Sequence, residues 1–180
     1  MAILKVARLG HPAVRTAARP VPRESLGTAE MAKLIEDMRE TLHEYDGVGL
    51  AAPQVHLGLR LAVIEVGASD RRSKDGVPFM VLVNPRIEPL SPAKVSDWEG
   101  CLSVPGLRGT VPRYSALRLE AWDERGHPYT LEARDFFARV IQHECDHLDG
   151  KVYLDRMEGL ESLCFLREFE RYRSGDTDED

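Results

Sequence analysis

Cysteine is scarce in this chain: three in 180 residues, none in a close-spaced pair. That excludes a secreted disulfide framework and a C-x-x-C zinc ribbon, and leaves at least one thiol free for other work. No apolar run approaches the roughly 20 residues that span a bilayer, and the first ten residues, MAILKVARLG, hold no sustained apolar stretch. The expectation is a cytoplasmic protein with no membrane partner. Positive charge is short as well: 24 Lys and Arg against 30 Asp and Glu give a formal net charge of -6. This argues against a general phosphate-backbone binder, so no direct nucleic-acid substrate is expected. No internal repeat or low-complexity tract appears. With 43% hydrophobic residues, the length suits one core and is short for two. A single domain is expected over residues 1–173. The remainder, 174–180, is an acidic tail too polar to bury itself and is expected to be disordered.

Periodicity outlines the elements. Lys5 to Arg23 is rich in Pro and small residues and reads as an extended arm with one short turn near Pro12. Thr28 is an N-cap candidate, and Met31, Leu34, Ile35, Met38, Leu42 and Tyr45 follow at helical spacing until Gly47 ends the helix. Leu59–Val66 and Val77–Asn84 read as strands joined by an exposed loop over 69–76. Ala116–Asp123 and Pro128–Ala133 read as a hairpin around Glu124-Arg125-Gly126. A second helix spans about Arg134 to Leu148 and is closed by Gly150; a third spans about Gly159 to Tyr172. Grouped strands between an early helix and later ones predict an α+β fold with antiparallel sheets packed around a central helix, and with N-terminal and C-terminal helices.

That central helix carries His143-Glu144-Cys145-Asp146-His147, an H-E-x-x-H sequence. On a helix its two imidazoles stand one turn apart on one face, able to reach one metal ion, and Glu144 can project beside that ion where a bound water needs a proton acceptor. Two His on the polar face of an ordinary helix is the bland alternative. Two His also need a third ligand. Cys101, in Glu99-Gly100-Cys101-Leu102-Ser103, is the best candidate, because a thiolate is a soft, strong metal ligand and Gly100 permits a sharp backbone approach. Taken alone, however, Cys101 reads more readily as a buried thiol. Cys145 points away from the His face, and Cys164 reads as a small core residue. Gly47-Val48-Gly49-Leu50-Ala51-Ala52-Pro53-Gln54 offers no ligand. Its glycines let a backbone pass close to a substrate, and Gln54 supplies a neutral amide donor; equally it is a helix end and a loop.

Together, G-x-G-L-A-A-x-Q at 47–54, E-G-C-L-S at 99–103 and Q-H-E-x-D-H-L at 142–148 closely resemble peptide deformylase, in its bacterial form at Leu102. The similarity extends from Gly10-His11-Pro12, through Val111-Pro112-Arg113, to Gly150-Lys151-Val152 and Asp155-Arg156. The resemblance implies a hydrolase that removes formyl from the N-terminal formylmethionine of new proteins. It implies one metal ion on Cys101, His143 and His147 with water in the fourth position: ferrous iron, which nickel, cobalt or zinc can replace. In such a site, Gln54 and the Leu102 amide would meet the oxyanion, and Glu144 would shuttle the proton. Val48 and Val140 would wall the methionine slot, Gly49 and Gly106 would bond the peptide backbone, and Arg108 matches a family position that meets it. Glu99 would fix the Cys101 loop, with Arg113 as its charged partner. N-formyl-Met nascent peptides are the implied substrates. The ribosome is an implied transient partner, reached through Arg167, Arg171 and Arg173. Two competing classes remain: an H-E-x-x-H metallopeptidase using Asp155 or Glu158 as third ligand, and a structural metal module, for which Glu144 would be superfluous.

Overall fold

A computed structural model describes residues 2–73 and 75–173; the acidic-tail expectation at 174–180 lies outside them. The chain begins as an extended arm with one helical turn, α1 (Pro12–Arg15). Helix α2 (Ala29–Glu44) starts where the Thr28 hydroxyl accepts the Met31 amide at 3.3 Å. Its end departs from the expected Gly47 stop. Asp46 takes the left-handed conformation, φ 50°, so that its amide reaches His43 O and the Gly47 amide reaches Leu42 O at 2.9 Å.

Strands β1 (Gly49–Ala51), β2 (Leu61–Val66) and β3 (Val77–Pro89) come next, then β4 (Lys94–Cys101), β5 (Val104–Tyr114), β6 (Ala116–Trp122) and β7 (Pro128–Arg134). Helix α3 (Asp135–Leu148), a two-residue strand β8 (Cys164–Phe165) and helix α4 (Leu166–Tyr172) complete the described chain. A five-stranded sheet has the order β1-β2-β3-β6-β7, and a three-stranded sheet the order β4-β5-β8. All named pairings are antiparallel. The α+β architecture is the one expected.

Helices cover both faces of the larger sheet. Leu61, Val63, Val81 and Val83 pack with Met31, Ile35, Met38 and Leu42 of α2. The alternate residues Ala62, Ile64 and Leu82 pack with Ala138, Ile141, Cys145 and Leu148 of α3. Burial on both faces explains why β2 and β3 read as nearly unbroken apolar runs although their pairing is antiparallel. Gly150 ends α3 as expected, at φ 72°, and a Cβ there would sit 2.7 Å from Arg15 O. The arm is thereby pressed against the end of the H-E-x-x-H helix.

The expected helix over 159–172 is a correction. Residues 160–163 form a turn, the Ser162 hydroxyl accepts the Thr110 amide at 3.0 Å, and Cys164 and Phe165 pair with Arg108 and Leu107. Helix begins only at Leu166. The free edge of β5 offered hydrogen bonds that outweighed local helical spacing, and Leu160, 69% exposed, found no core to enter.

Candidate metal centre

Cys101 ends β4 and pairs with Val104 across a two-residue turn, Leu102-Ser103, so the hairpin presents its thiol from the smaller sheet. α3 presents His143 and His147, their ring centroids 4.9 Å apart. The two pieces meet: Cys101 Sγ lies 3.1 Å from His147 Nε2, and one ligand atom from each of the three residues lies within 4.8 Å of the others. A soft thiolate and two imidazoles converging in this way fit a divalent transition ion. Burial opposes ionisation of Cys101, but His147 and His143 outweigh it and hold the thiol well below its ordinary range. Cys145 is a different kind of thiol: it sits in the core cluster, and burial pushes it up to about 12.

Behind the ligands lies a buried charge network. Glu99 Oε2 faces His143 Nδ1 at 2.9 Å, and this carboxylate favours the tautomer that leaves Nε2 for a metal. Arg113 grips both Glu99 oxygens at 2.9 and 3.0 Å, as its charge suggested, and reaches across to Asp146 at 2.5 Å. Arg156 holds Asp146 from the other side at 2.6 Å. Arg139 adds a bond to Glu99 Oε1 at 2.8 Å and others to the Val111 and Val95 carbonyls. Burial alone would raise the Glu99 pKa, but the His143 and Arg113 bonds keep it far below the usual carboxylate range. Arg139 and Asp146 were not assigned roles from sequence. The available signal was helical spacing: Arg139 stands four residues before His143, on the face of α3 that also carries Gln142 and Asp146.

Glu144 is 3% exposed, its Oε2 has no hydrogen-bond partner among the described residues, and burial raises its pKa to about 7. Gly49 leaves the room it occupies: a Cβ at that position would sit 2.2 Å from Glu144 Oε1, so any side chain there would have to displace the carboxylate. Gln54 is clamped from both ends. Its Oε1 accepts the Ala51 amide at 2.8 Å, and its Nε2 donates to Ser103 Oγ at 3.3 Å and Cys101 Sγ at 3.6 Å. Those two bonds aim the amide hydrogens at the ligand cluster.

A groove of about 1760 Å³ opens over this centre. Cys101, His143, Glu144, Gln54 and Leu102 line it, as do all the substrate-side candidates: Val48, Gly49, Gly106, Arg108 and Val140. His147 lies deeper, 1% exposed. Arg108 bonds the Leu107 carbonyl at 3.0 Å, and Gly106 holds φ 75°. Trp98, Leu166 and Phe169 also line the groove and carried no sequence expectation of a site role.

An H-E-x-x-H helix and a cysteine from a separate hairpin, with a buried carboxylate beside them and an open groove above, define a metal-dependent hydrolase. The family model described as polypeptide deformylase matches residues 3–163, and the chain belongs to that family. It is 44% identical to peptide deformylase 2 of Pseudomonas syringae pv. tomato over 165 residues, covering 91% of this chain and 92% of that one. To peptide deformylase 2 of Ralstonia nicotianae it is 46% identical over 164 residues, with the same coverages. Its fold is similar to a Met-Ala-Ser-bound crystal structure of class I type b peptide deformylase from Acinetobacter baumannii. The TM-score is 0.81 at 33% identity, over 87% of this chain and 99% of that one. The family's reaction is hydrolytic removal of the formyl group from the N-terminus of new polypeptides.

Proposed function

We propose that this chain deformylates N-formylmethionyl peptides with ferrous iron held by Cys101, His143 and His147, and with Glu144 moving the proton. The observation that carries the reading is the buried Glu144 Oε2, which has no hydrogen-bond partner among the described residues, beside the ligand cluster. A divalent ion on those ligands would supply Lewis acidity and a water of lowered pKa. Glu144 takes the proton as the water oxygen adds to the formyl carbon. Gln54 Nε2 and the Leu102 amide donate to the developing oxyanion; the Gln54 bonds, at 3.3 and 3.6 Å, are long enough to yield to a charged acceptor. Glu144 then returns the proton to the departing nitrogen, the C–N bond breaks, and formate and a free amine leave. Val48 and Val140, which pack with the core and face the groove, wall the methionine slot. Gly49, Gly106 and Arg108 receive the peptide backbone.

The donor set suits nickel, cobalt and zinc as well, so iron rests on the resemblance and is checked by metal analysis of protein purified without oxygen. A thiolate ligand and a ferrous ion both persist best in a reducing compartment, which supports a cytoplasmic location. Among the described residues no helix is long and apolar enough to cross a membrane. The ribosome is proposed as a brief, salt-sensitive encounter through exposed Arg167 and Arg171, with Arg173 beyond α4. Glu168 and Glu170 balance the helix charge. Formate release from formyl-Met-Ala-Ser tests the central reading. Iron-loaded protein that releases none while cleaving internal peptide bonds is a metallopeptidase instead.

A further inference from the structure

The N-terminal arm is tied down at both ends. The Leu4 amide donates to Thr41 Oγ1 of α2 at 2.8 Å, and the Ala18 amide to the Leu148 carbonyl at the end of α3 at 2.9 Å. Between these anchors the arm crosses from one oxyanion segment to the other. The Ala7 amide donates to the Gln54 carbonyl and the Leu9 amide to the Ser103 carbonyl, both at 2.7 Å. Ala7 is buried in the cluster that contains Cys101. His11 meets His56 edge to face, ring centroids 4.6 Å apart, and His56 closes the 3-10 turn Ala52–Val55 that carries Gln54. Gln54 follows β1 of the larger sheet, whereas Ser103 lies in the β4–β5 turn of the smaller one. The arm therefore spans the same gap as the Gln54 and Leu102 donors, and does so by backbone bonds that no side-chain motif records.

We propose that the Ala7 and Leu9 backbone amides are positioning groups for the reaction: they set the separation at which Gln54 Nε2 and the Leu102 amide converge on one oxyanion. The inference rests on the deformylase reading. Two residues of extended chain advance about 6.6 Å, so amides at 7 and 9 fix how far apart the two carbonyls they hold can stand. Gln54 needs that restraint because its side-chain bonds are long, 3.3 Å to Ser103 Oγ and 3.6 Å to Cys101 Sγ, and are given up as its amide turns to the oxyanion. The Ala7 bond persists through that exchange and keeps the Gln54 backbone at its distance from Leu102. Donors stabilise a developing charge in proportion to how well they are already placed.

Single backbone esters, installed by nonsense suppression with α-hydroxy acids, remove one amide hydrogen and leave every side chain in place. In the iron-loaded, full-length protein, an ester at residue 7 or 9 is expected to lower kcat on formyl-Met-Ala-Ser about 10- to 100-fold, with KM and metal content within twofold. That is short of the roughly 10²- to 10³-fold cost of removing an oxyanion donor outright. An ester at residue 18 removes a comparable bond of the same arm at the end of α3. All three should lower Tm by about 2–4 °C, but the residue 18 ester should keep kcat within twofold. In Gln54→Ala the residue 7 ester should cost no more than a further twofold, because the group it positions is gone. Equal kcat losses from all three esters would mark the arm as structural and overturn the proposal. So would unchanged kcat with esters at 7 and 9, or a full further loss in Gln54→Ala; each of these leaves the deformylase reading intact. No formate release from the unmodified protein would instead overturn that reading.

Discussion

At the residue scale, the site depends on one carboxylate kept out of water. Glu144 is raised to about 7 because burial penalises its charge, and Gly49 provides the space for it. Glu144→Gln is expected to keep its metal, measured by elemental analysis, while formate release falls about 10²- to 10⁴-fold, the usual worth of a positioned proton shuttle. Full activity would remove Glu144 from the chemistry. Gly49→Ala provides an independent check. Its new methyl would overlap the Glu144 carboxylate, so turnover should fall at unchanged metal content, whereas a purely backbone-binding role for Gly49 predicts a raised KM at normal kcat. The Cys and His ligands were legible in sequence because metal chemistry restricts residue types and helical spacing restricts the pair. Arg139 and Asp146 were not, because their bonds to Glu99 and Arg113 cross 33 to 40 residues of chain and belong to partners that only the fold brings near.

At the element scale, α2 is held on the larger sheet by an ion pair as well as by apolar packing. Glu65 of β2 accepts from Arg39 Nε and Nη2, at 3.1 and 3.0 Å, and meets His43 Nε2 at 2.7 Å, while Arg39 also lies over the Phe79 ring. The Arg39 hydrogen bond is the main cause that lowers the Glu65 pKa below its ordinary 4.5, against the opposing effect of burial. A lowered folded-state pKa contributes stability that is present above about pH 4.5 and disappears as pH falls through the folded value. Glu65→Gln should therefore cost about 0.5–1 kcal/mol in urea unfolding at pH 7, and the gap to wild type should close at lower pH. A gap that widens in acid would refute this pairing. Elements whose apolar residues keep one period were readable: α2, α3, β2 and the β6–β7 hairpin. β4 and β5 were not. β4 alternates poorly, with its first three residues exposed, and β5 contains Pro105, Gly106, Gly109 and Pro112, which read as turns. Their pairing comes from the hairpin itself, whose purpose is to carry Cys101.

At the scale of the whole molecule, the metal ligands join the two sheets. Cys101 belongs to the β4–β5 hairpin, whereas His143 and His147 ride on a helix packed against the five-stranded sheet. Protein contacts already bridge the same gap: Gln142 exchanges two hydrogen bonds with the Tyr114 backbone at 3.0 and 2.9 Å, and Arg113 reaches Asp146. The fold should therefore survive without metal but be less stable. An ion bound at about 100 times its Kd adds about 2.7 kcal/mol to a folded state that alone binds it. In a chain of this length each kcal/mol moves Tm by about 2–4 °C, so chelation should lower Tm by about 5–10 °C. Cys101→Ser should begin near that lower value and respond little to chelator, because the soft ligand is gone. Cys145→Ala should start lower for a different reason, the loss of a buried sulfur from the α3 core, yet still drop on chelation by the wild-type amount. If Cys145→Ala abolished the chelator response while Cys101→Ser kept it, the thiolate would have to be reassigned and the two sheets would not be joined through the metal.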